Sequence, residues 1–279
     1  MRNLRAFLLI SGFVIFTLPL MPVQLVLRAL GVRAARTFPH WYHRQLCRLL
    51  GVTIHTVGSV RDDCPVLLVS NHISWLDIPV LSAVAPLAFV AKSEVGTWPF
   101  ISWLAKLQNT IFVERERPRS VGNSAGEIMQ RLRSGGNVVI FAEGTSSDGN
   151  SVLPFKTSLF AAAKPRGPQA VDMGQGIAVQ MIGMGYTHQS GLPLTRRGRP
   201  AVAWYGDMEI ADHAWSLLGR GPLDVHVHIS EPVALVDFPD RKALAAFSEQ
   251  QVREMVAHIL APRKAPKDNA KTIQDEAAS

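Results

Sequence analysis

Residues 6–27 carry no ionisable side chain and read AFLLISGFVIFTLPLMPVQLVL. An apolar run of this length is about long enough to cross a hydrocarbon core of roughly 30 Å. The sequence therefore predicts a hydrophobic, membrane-anchoring helical segment at the amino terminus, to which the rest of the fold is attached.

Three arrangements of this anchor are compatible with the sequence: a helix that spans the bilayer, a cleaved signal peptide, and a helix pair that enters one leaflet and returns. Basic side chains flank the run on both sides, at Arg2, Arg5, Arg28, Arg33 and Arg36. Because neither flank is marked as the translocated one, the charges favour the one-leaflet anchor. Pro19 and Pro22 are predicted to break the helix near its far end, since proline removes a backbone donor. No small-residue cleavage signal follows the run, which disfavours a signal peptide.

Charge and cysteine content restrict the partners. The 29 Lys and Arg residues outnumber the 22 Asp and Glu residues, which gives a formal charge of +7 and favours anionic partners. Because the basic residues are dispersed and follow an apolar anchor, an acidic lipid surface is favoured and nucleic acid is not expected as a partner. Cys47 and Cys64 have no metal-ligand spacing and give weak support for a disulfide, so a reducing compartment is the simpler interpretation.

After Gly51, short β-branched runs alternate with helical patterns. The predicted strands are TIHTV, VLLVS, LAFVAK, TIFVE, NVVIFAE, IAVQMIGMGY, AVAWY and LDVHVHI. Helices are predicted to start near Ser74, Gly96, Arg119 and Lys156, and a long one covers residues 241–260. This alternation is typical of an α/β fold, a mixed β-sheet flanked by helices. We divide the chain into an anchor with a connecting helix (residues 1–50), one α/β domain (51–262) and a disordered tail poor in large apolar residues (263–279).

The segment VLLVSNHISWLDIPVL carries a histidine and an aspartate between a predicted buried strand and a helix. The turn holds Asn71 and His72, Ser74 is the predicted N-cap, and Asp77 is then the third residue of the helix. A carboxylate there is favoured by the helix dipole and points back toward the strand end. We therefore expect the side chains of His72 and Asp77 to meet.

Such a pair can act as a general base. A carboxylate that holds one imidazole nitrogen leaves the other unprotonated and directed outward, as deprotonation of an alcohol requires. If the group that the alcohol attacks is already reactive, as a thioester is, the alcohol can attack it directly, and no nucleophilic serine or cysteine is needed. The plainer alternative is a histidine satisfied by local capping and an aspartate that only caps, and the pair alone does not decide between them.

Two further strands end in polar turns, at the sheet edge where α/β proteins bind ligands. In TIFVERERPRS, Arg115 can hold a head group, although a solvated charge run is the alternative. In NVVIFAEGTSSDGNSVLPFKTSLF, the strand ends in Glu143, Gly144 and Thr145, and the glycine lets the backbone approach a ligand closely. The LPFK stretch returns Lys156 beside that turn, although an ordinary surface loop has a similar composition.

Together these segments resemble the glycerolipid acyltransferase family, which includes the 1-acylglycerol-3-phosphate acyltransferases. The resemblance covers residues 66–186 and rests on NHISWLD, TIFVER, FAEGTSSDG with LPFK, and AVQMIGMGY, in the family's order. It implies a membrane-bound O-acyltransferase, with its catalytic domain on the cytoplasmic face, that acylates a lysolipid. The donor is a co-substrate, acyl-CoA or acyl-acyl carrier protein, and no cofactor is expected.

The resemblance also implies roles for individual residues. His72 is the base and Asp77 orients it. The substrate-binding residues are Asn71, Arg115, Glu143, Gly144, Thr145 and Lys156.

Ser146 stands where phosphatidate-forming members usually carry an arginine. Arginine can bind a phosphate monoester through two hydrogen bonds, so its absence argues for an acceptor without a free phosphate, or for compensation by Arg115 or Lys156. The form EGTSSDGN followed by LPFK looks most like the bacterial branch that acylates lyso-ornithine lipid on the hydroxyl of its 3-hydroxyacyl chain. Ala142 and Met181 stand where the family often has proline, which alters loop rigidity.

Other functions stay open as alternatives. The first is a 1-acyl-sn-glycerol-3-phosphate acyltransferase that makes phosphatidic acid, and the second is a non-catalytic lipid-binding protein, which the intact His72 and Asp77 disfavour. A lipid hydrolase is disfavoured because the sequence has no Gly-x-Ser-x-Gly elbow and no zinc-type histidine spacing. His226 and His228 share one face of a predicted strand, where such a pair is more often strand surface than a metal site, so no metal is predicted.

Overall fold

In the computed structural model, the described residues are 1–113, 118–161 and 176–261, and they form a mixed α/β fold. The helices are α1 (Arg2–Ala29), α2 (Ala34–Leu50), α3 (Asp77–Val84), α4 (Ile101–Leu107), α5 (Pro118–Arg133), α6 (Ile210–Arg220) and α7 (Arg241–Leu260). The strands are β1 (Val52–Val57), β2 (Val66–Ser70), β3 (Ala88–Lys92), β4 (Ile111–Val113), β5 (Val138–Phe141), β6 (Ala178–Gln189), β7 (Leu192–Pro193), β8 (Leu223–Ile229) and β9 (Val233–Ala234). The predicted fold class is confirmed, and the predicted tail at 263–279 lies outside the described residues.

The described strands form one mixed sheet in the order β1-β8-β6-β2-β5-β3-β4, with the short β7 and β9 paired to β6. From β6 to β4 the neighbouring strands are parallel, whereas β8 runs antiparallel to β6. Ser70, at the end of β2, pairs with Phe141 at the end of β5 and with Ile182 of β6. The polar turns that follow β2 and β5 therefore lie side by side at one edge of the sheet.

Both faces of the sheet are covered. In β2, Val66 and Leu68 belong to a core that also contains residues of α2 and α3. The alternate residues, Leu67 and Val69, belong to a second core shared with α5 and α7. A central strand that is apolar on both faces is typical of a parallel sheet between helical layers. The turn after β2 therefore starts from a rigid, fully buried base.

The AVAWY segment does not form the predicted strand. Arg199–Ala201 is a short 3-10 turn, and in the loop that follows it Val202 and Ala203 are buried. The backbone N–H of Trp204 donates to the carbonyl oxygen of Ile73 at 2.9 Å. The segment is apolar because it packs against the turn after β2, and a run of buried loop residues has the same composition as a strand.

Helix starts differ more from the prediction than strands do. The helix predicted near Gly96 is a 3-10 turn at Ser93–Thr97 followed by α4. The one predicted near Lys156 is a 3-10 turn at Thr157–Ala161, and residues 162–175 lie outside the described residues. Helices α5 and α7 begin close to their predicted positions, whereas α6 has no counterpart in the prediction.

Helix α1 runs without interruption through Pro19 and Pro22, so the predicted helix break is wrong. Polar contacts on both sides of the prolines hold the helix. Thr17 Oγ1 lies 2.7 Å from the hydroxyl of Tyr42 in α2, and the buried amide of Gln24 donates to carbonyl oxygens of α2 and α4, both at 2.9 Å. This packing offsets the backbone hydrogen bonds that the two prolines remove.

One face of α1 lies along the folded domain from end to end. Near its start, the Arg5 guanidinium donates to the carbonyl oxygen of Leu218 in α6, and near its end Arg28 donates to that of Lys106 in α4. The other face exposes large apolar side chains, among them Phe7, Leu8, Ile15, Leu18 and Leu25. Among the described residues, α1 is the one helix long and apolar enough to enter and cross a membrane.

Candidate active site

The turn after β2 brings His72 and Asp77 into contact. His72 Nδ1 lies 2.8 Å from Asp77 Oδ2, and the Asp77 side chain is fully buried. The same oxygen accepts the backbone N–H of Ile73 at 2.6 Å and of Ser74 at 2.9 Å. The carboxylate thus closes the turn and holds the imidazole at the same time.

The position of the helix start differs from the prediction. Asp77 is the first residue of α3 instead of the third, and the residue before it is Leu76, so Ser74 is not the N-cap. Because the Asp77 carboxylate already accepts the backbone N–H groups before the helix, a capping hydroxyl is not needed there. The Ser74 hydroxyl is buried without a hydrogen-bond partner in the part of the chain that the structure describes.

The His72 ring stacks on Phe141, with ring centroids 4.1 Å apart and an angle of 18° between the planes. Its side chain is 16% exposed, whereas that of Asp77 is inaccessible. A carboxylate partner on Nδ1 favours the tautomer in which Nδ1 carries the proton and Nε2 has the lone pair. Nε2 is therefore the nitrogen that can accept a proton from a substrate.

Tyr186 is a site residue that the sequence analysis does not single out. Its hydroxyl donates to Asp77 Oδ1 at 2.8 Å, and its side chain is 2% exposed. Tyr186 follows Asp77 by 109 residues, so no local spacing indicates the contact. The signal available in the sequence is that a tyrosine ends the otherwise apolar run AVQMIGMGY.

Asn71 joins the end of β2 to β6. Its Nδ2 donates to the carbonyl oxygen of Met184 at 3.0 Å, and its Oδ1 accepts the N–H of the same residue at 2.9 Å. The residue is 2% exposed. In this geometry the amide binds the protein backbone, and the predicted contact between Asn71 and substrate stays a prediction.

Glu143 braces two loops of the site. Its Oε1 accepts the backbone N–H of His72 at 2.7 Å and its Oε2 accepts that of Leu153 at 2.8 Å. The residue is 1% exposed. Both carboxylate oxygens therefore hold the backbone around the imidazole, and a substrate-binding role for Glu143 stays a prediction.

Gly144, Thr145 and Lys156 lie in the loops beside this brace. Gly144 has a φ of +71°, a left-handed conformation that glycine adopts most readily. Thr145 is exposed. The Lys156 N–H donates to the carbonyl oxygen of Ala142 at 2.8 Å, so the LPFK stretch does return to the turn after β5, with the Lys156 side chain exposed.

Ser146 and Ser147 tie this loop to the rest of the site. The Ser146 hydroxyl donates to the carbonyl oxygen of Trp204, and the Ser147 N–H donates to that of His72 at 2.8 Å. Arg115, the remaining predicted site residue, lies outside the described residues.

No group of three or more His, Cys, Asp and Glu side chains is placed to hold a metal ion within the described ranges. His226 stacks on His55 with ring centroids 4.6 Å apart, and His228 lies 5.6 Å from the ring of His258. These two histidines therefore take part in ring contacts across neighbouring elements.

Burial raises the pKa of Glu143 to about 7, while the N–H donors of His72 and Leu153 act in the opposite direction. A native-state pKa above the ordinary value of 4.5 means that the folded protein binds this proton more tightly than the unfolded chain. Its contribution to the free energy of unfolding is therefore complete below pH 4.5 and is lost as the pH rises to about 7.

We expect Glu143→Gln to remove this loss, which is on the order of 3 kcal/mol over the window. Urea unfolding in detergent at pH 4.5 to 7.5 measures it in both proteins. The wild type should lose stability relative to the variant as the pH rises. Parallel curves for the two proteins would contradict the assignment.

Comparison with known proteins gives a consistent result. The family model described as "Acyltransferase" matches residues 51–172. The chain is 44% identical over 264 residues to a lyso-ornithine lipid O-acyltransferase of Brucella abortus, covering 95% of this chain and 98% of that protein. It is 30% identical over 192 residues to a 1-acyl-sn-glycerol-3-phosphate acyltransferase of Neisseria meningitidis, covering 69% of each chain.

A solved structure has the same fold. The 1-acyl-sn-glycerophosphate (LPA) acyltransferase PlsC of Thermotoga maritima superimposes with a TM-score of 0.68 and covers 95% of this chain and 100% of its own. The two sequences are 22% identical. Because the superposition covers 95% of this chain, it includes most of α1 and α2 as well as the sheet.

Proposed function

This chain belongs to the acyltransferase family, and from that premise we propose that it transfers a fatty acyl group from a thioester donor to the hydroxyl of lyso-ornithine lipid. It is an enzyme that transfers acyl groups. The observation that carries the mechanism is the contact between His72 and the buried Asp77 at the carboxyl end of β2. The relatives named for lyso-ornithine lipid support the choice of acceptor.

The proposed reaction uses His72 as a general base. Nε2 takes the proton of the lysolipid hydroxyl, the oxygen attacks the thioester carbonyl carbon, and the carbon–sulfur bond breaks. The thiolate of the donor leaves and takes up a proton, and an ester remains on the lipid. Asp77 stabilises the imidazolium that forms, because its carboxylate lies 2.8 Å from Nδ1. The donor is acyl-CoA or acyl-acyl carrier protein.

The loop after Ser146 supports an acceptor other than a phosphate monoester. Asp148 lies two residues after Ser146. The Asp148 carboxylate accepts two hydrogen bonds from Asn150, one from the backbone N–H at 2.9 Å and one from the side-chain Nδ2 at 3.0 Å. Arg199 donates to Asn150 Oδ1 at 3.3 Å. An acid and a base joined in this way suit an amino-acid head group, which carries an ammonium and a carboxylate. A phosphate dianion would be attracted by Arg199 but repelled by Asp148, whereas an amino-acid head group can pair with both.

We expect kcat/KM for lyso-ornithine lipid to exceed that for lysophosphatidic acid at least about tenfold, since an unpaired charge in a polar site is strongly disfavoured. The purified protein is given labelled acyl-CoA or acyl-acyl carrier protein and either acceptor in mixed micelles. Asp148→Asn should lower the preference, and Asp212→Asn, an exposed change on α6, should leave it unchanged. A preference for lysophosphatidic acid would support the phosphatidate-forming alternative, and release of free fatty acid without transfer would indicate a hydrolase.

The anchor is proposed to lie in the cytoplasmic leaflet without crossing it, with the catalytic domain on the cytoplasmic face. Arg5, near the start of α1, and Arg28, near its end, both bind the folded domain, so α1 lies against the domain over its whole length. A helix normal to the bilayer could not do this. A cytoplasmic site also gives access to the thioester donor. Single cysteines placed at positions 3 and 32 should both react with an impermeant reagent in inverted vesicles, and both be protected in intact cells. Labelling of one of them from outside the cell would support a spanning helix instead.

A further inference from the structure

Asp77 is held from two sides. Oδ2 receives His72 Nδ1 and two backbone N–H groups of its own turn, whereas Oδ1 receives the hydroxyl of Tyr186 from β6. We propose that Tyr186 is a positioning residue, which fixes the orientation of the Asp77 carboxylate and moderates its attraction for the protonated imidazole of His72. The inference deepens the proposed function, because it concerns the base of the same reaction.

The backbone of β6 is built to place this hydroxyl. The pairing between β6 and β8 shifts register between Tyr186 and His188, a bulge of the kind that redirects a side chain. On the opposite face, Gly183 and Gly185 allow α7 to approach closely. A Cβ on Gly183 would lie 2.3 Å from Met255 Cβ, and one on Gly185 would lie 2.9 Å from a methyl group of Ile259. The distance between β6 and α7 is thereby fixed, and with it the position of the Tyr186 phenol.

In the contact between Tyr186 and Asp77, the phenol is the hydrogen-bond donor. Burial, and then the Asp77 carboxylate, raise the pKa of Tyr186 well above its ordinary value, so the phenol stays protonated and donates. A donor on Oδ1 draws negative charge away from the oxygen that faces His72, which weakens the preference for the charged imidazole. Other titratable groups close to the pair are Glu143, which interacts with Asp77 when it is ionised, and the buried thiol of Cys47 near Tyr186. Burial raises the pKa of Cys47 to about 12, so this thiol is uncharged. Substituting the phenol leaves both groups in place.

Tyr186→Phe keeps the buried ring and removes the hydroxyl. The acid limb of the pH profile of kcat/KM should move to higher pH by about half a unit to one unit, because the carboxylate then favours the protonated imidazole more strongly. The value of kcat at the optimum should fall about tenfold, with little change in KM for the acceptor. The matched control is Tyr42→Phe, which removes the hydroxyl of a partly buried tyrosine of α2 that lies 2.7 Å from Thr17 Oγ1 of α1. Its acid limb should coincide with that of the wild type.

Histidine NMR titration gives a second readout that needs no turnover. The His72 ring signals, assigned with His72→Ala, should titrate at higher pH in Tyr186→Phe than in the wild type and in Tyr42→Phe. An unchanged His72 midpoint with an unchanged acid limb would overturn the positioning role, even if Tyr186→Phe is less stable. A wild type that transfers no acyl group would instead refute the proposed function, and the titration would still decide the role of Tyr186.

Discussion

Replacing His72 by alanine should lower kcat for acyl transfer by about a hundred- to ten-thousand-fold, the usual contribution of a positioned general base. The reason is that Nε2 is the group placed to accept the hydroxyl proton, while Nδ1 is occupied by Asp77. Turnover of labelled acyl donor by the purified protein, with saturating lysolipid, measures the loss. KM for the acceptor should change little, because the imidazole acts on the proton in transit.

His188→Ala is the matched control. His188 is a second partly exposed histidine beside a carboxylate, with its Nδ1 3.8 Å from Asp224, and it lies on β6 away from the turn after β2. This variant should keep wild-type kcat. Binding to anionic vesicles and the thermal unfolding midpoint show whether His72→Ala is folded and attached. Near wild-type transfer by a folded His72→Ala protein would remove the basis of the mechanism.

The sheet could be read from the sequence because its strands are short apolar runs between turns. The residues of β2 are apolar on both faces, which both indicates a central strand and places the next residues at the sheet edge. AVAWY shows the limit of the same reasoning. Val202 and Ala203 are as buried as strand residues, but they pack in a loop over Ile73. Composition records burial and does not distinguish a loop from a strand.

Proximity of His72 and Asp77 was predictable because only the four residues of one turn separate them. The contact with Tyr186 depends on the pairing of β6 with β2, which the local pattern does not contain. The predicted break in α1 is wrong for a related reason. Whether Pro19 and Pro22 break the helix is decided by its packing against α2 and α4. Local spacing thus identifies neighbours along the chain, and tertiary contacts decide the rest.

Polar residues at strand ends present a different problem. Asn71 and Glu143 have the composition of substrate ligands, yet in the structure they accept from or donate to backbone groups of the site loops. Buried backbone N–H groups need partners, and a sequence does not show which side chain supplies them. Acceptor contacts by these two residues accordingly stay predictions that kinetics can test.

Replacing Asp77 by alanine should be nearly as severe for turnover as losing the base, with a loss of kcat of about a hundred- to ten-thousand-fold. The imidazole would lose the partner that orients it, and the N–H groups of Ile73 and Ser74 would be left without their acceptor. Since these groups are buried, the variant should also lose stability on the order of 3 kcal/mol. Urea unfolding and turnover at a temperature well below the unfolding midpoint separate the two effects. Asp224→Ala, at a partly exposed aspartate beside two histidines, is the control and should retain kcat.

Asp77→Asn should be milder than Asp77→Ala. Three donors converge on Oδ2, whereas Oδ1 faces a phenol that can also accept. The amide should therefore place its oxygen toward His72 and its NH2 toward Tyr186. His72 would keep the proton on Nδ1 and the lone pair on Nε2, and only the charge that stabilises the imidazolium would be lost. We expect kcat to fall about tenfold to a hundredfold, less than the roughly ten-thousand-fold loss that the same change causes in Ser-His-Asp triads by imposing the wrong tautomer. If the asparagine variant is as inactive as the alanine variant while remaining folded, the amide lies the other way round, and the three donors on Oδ2 do not control its orientation.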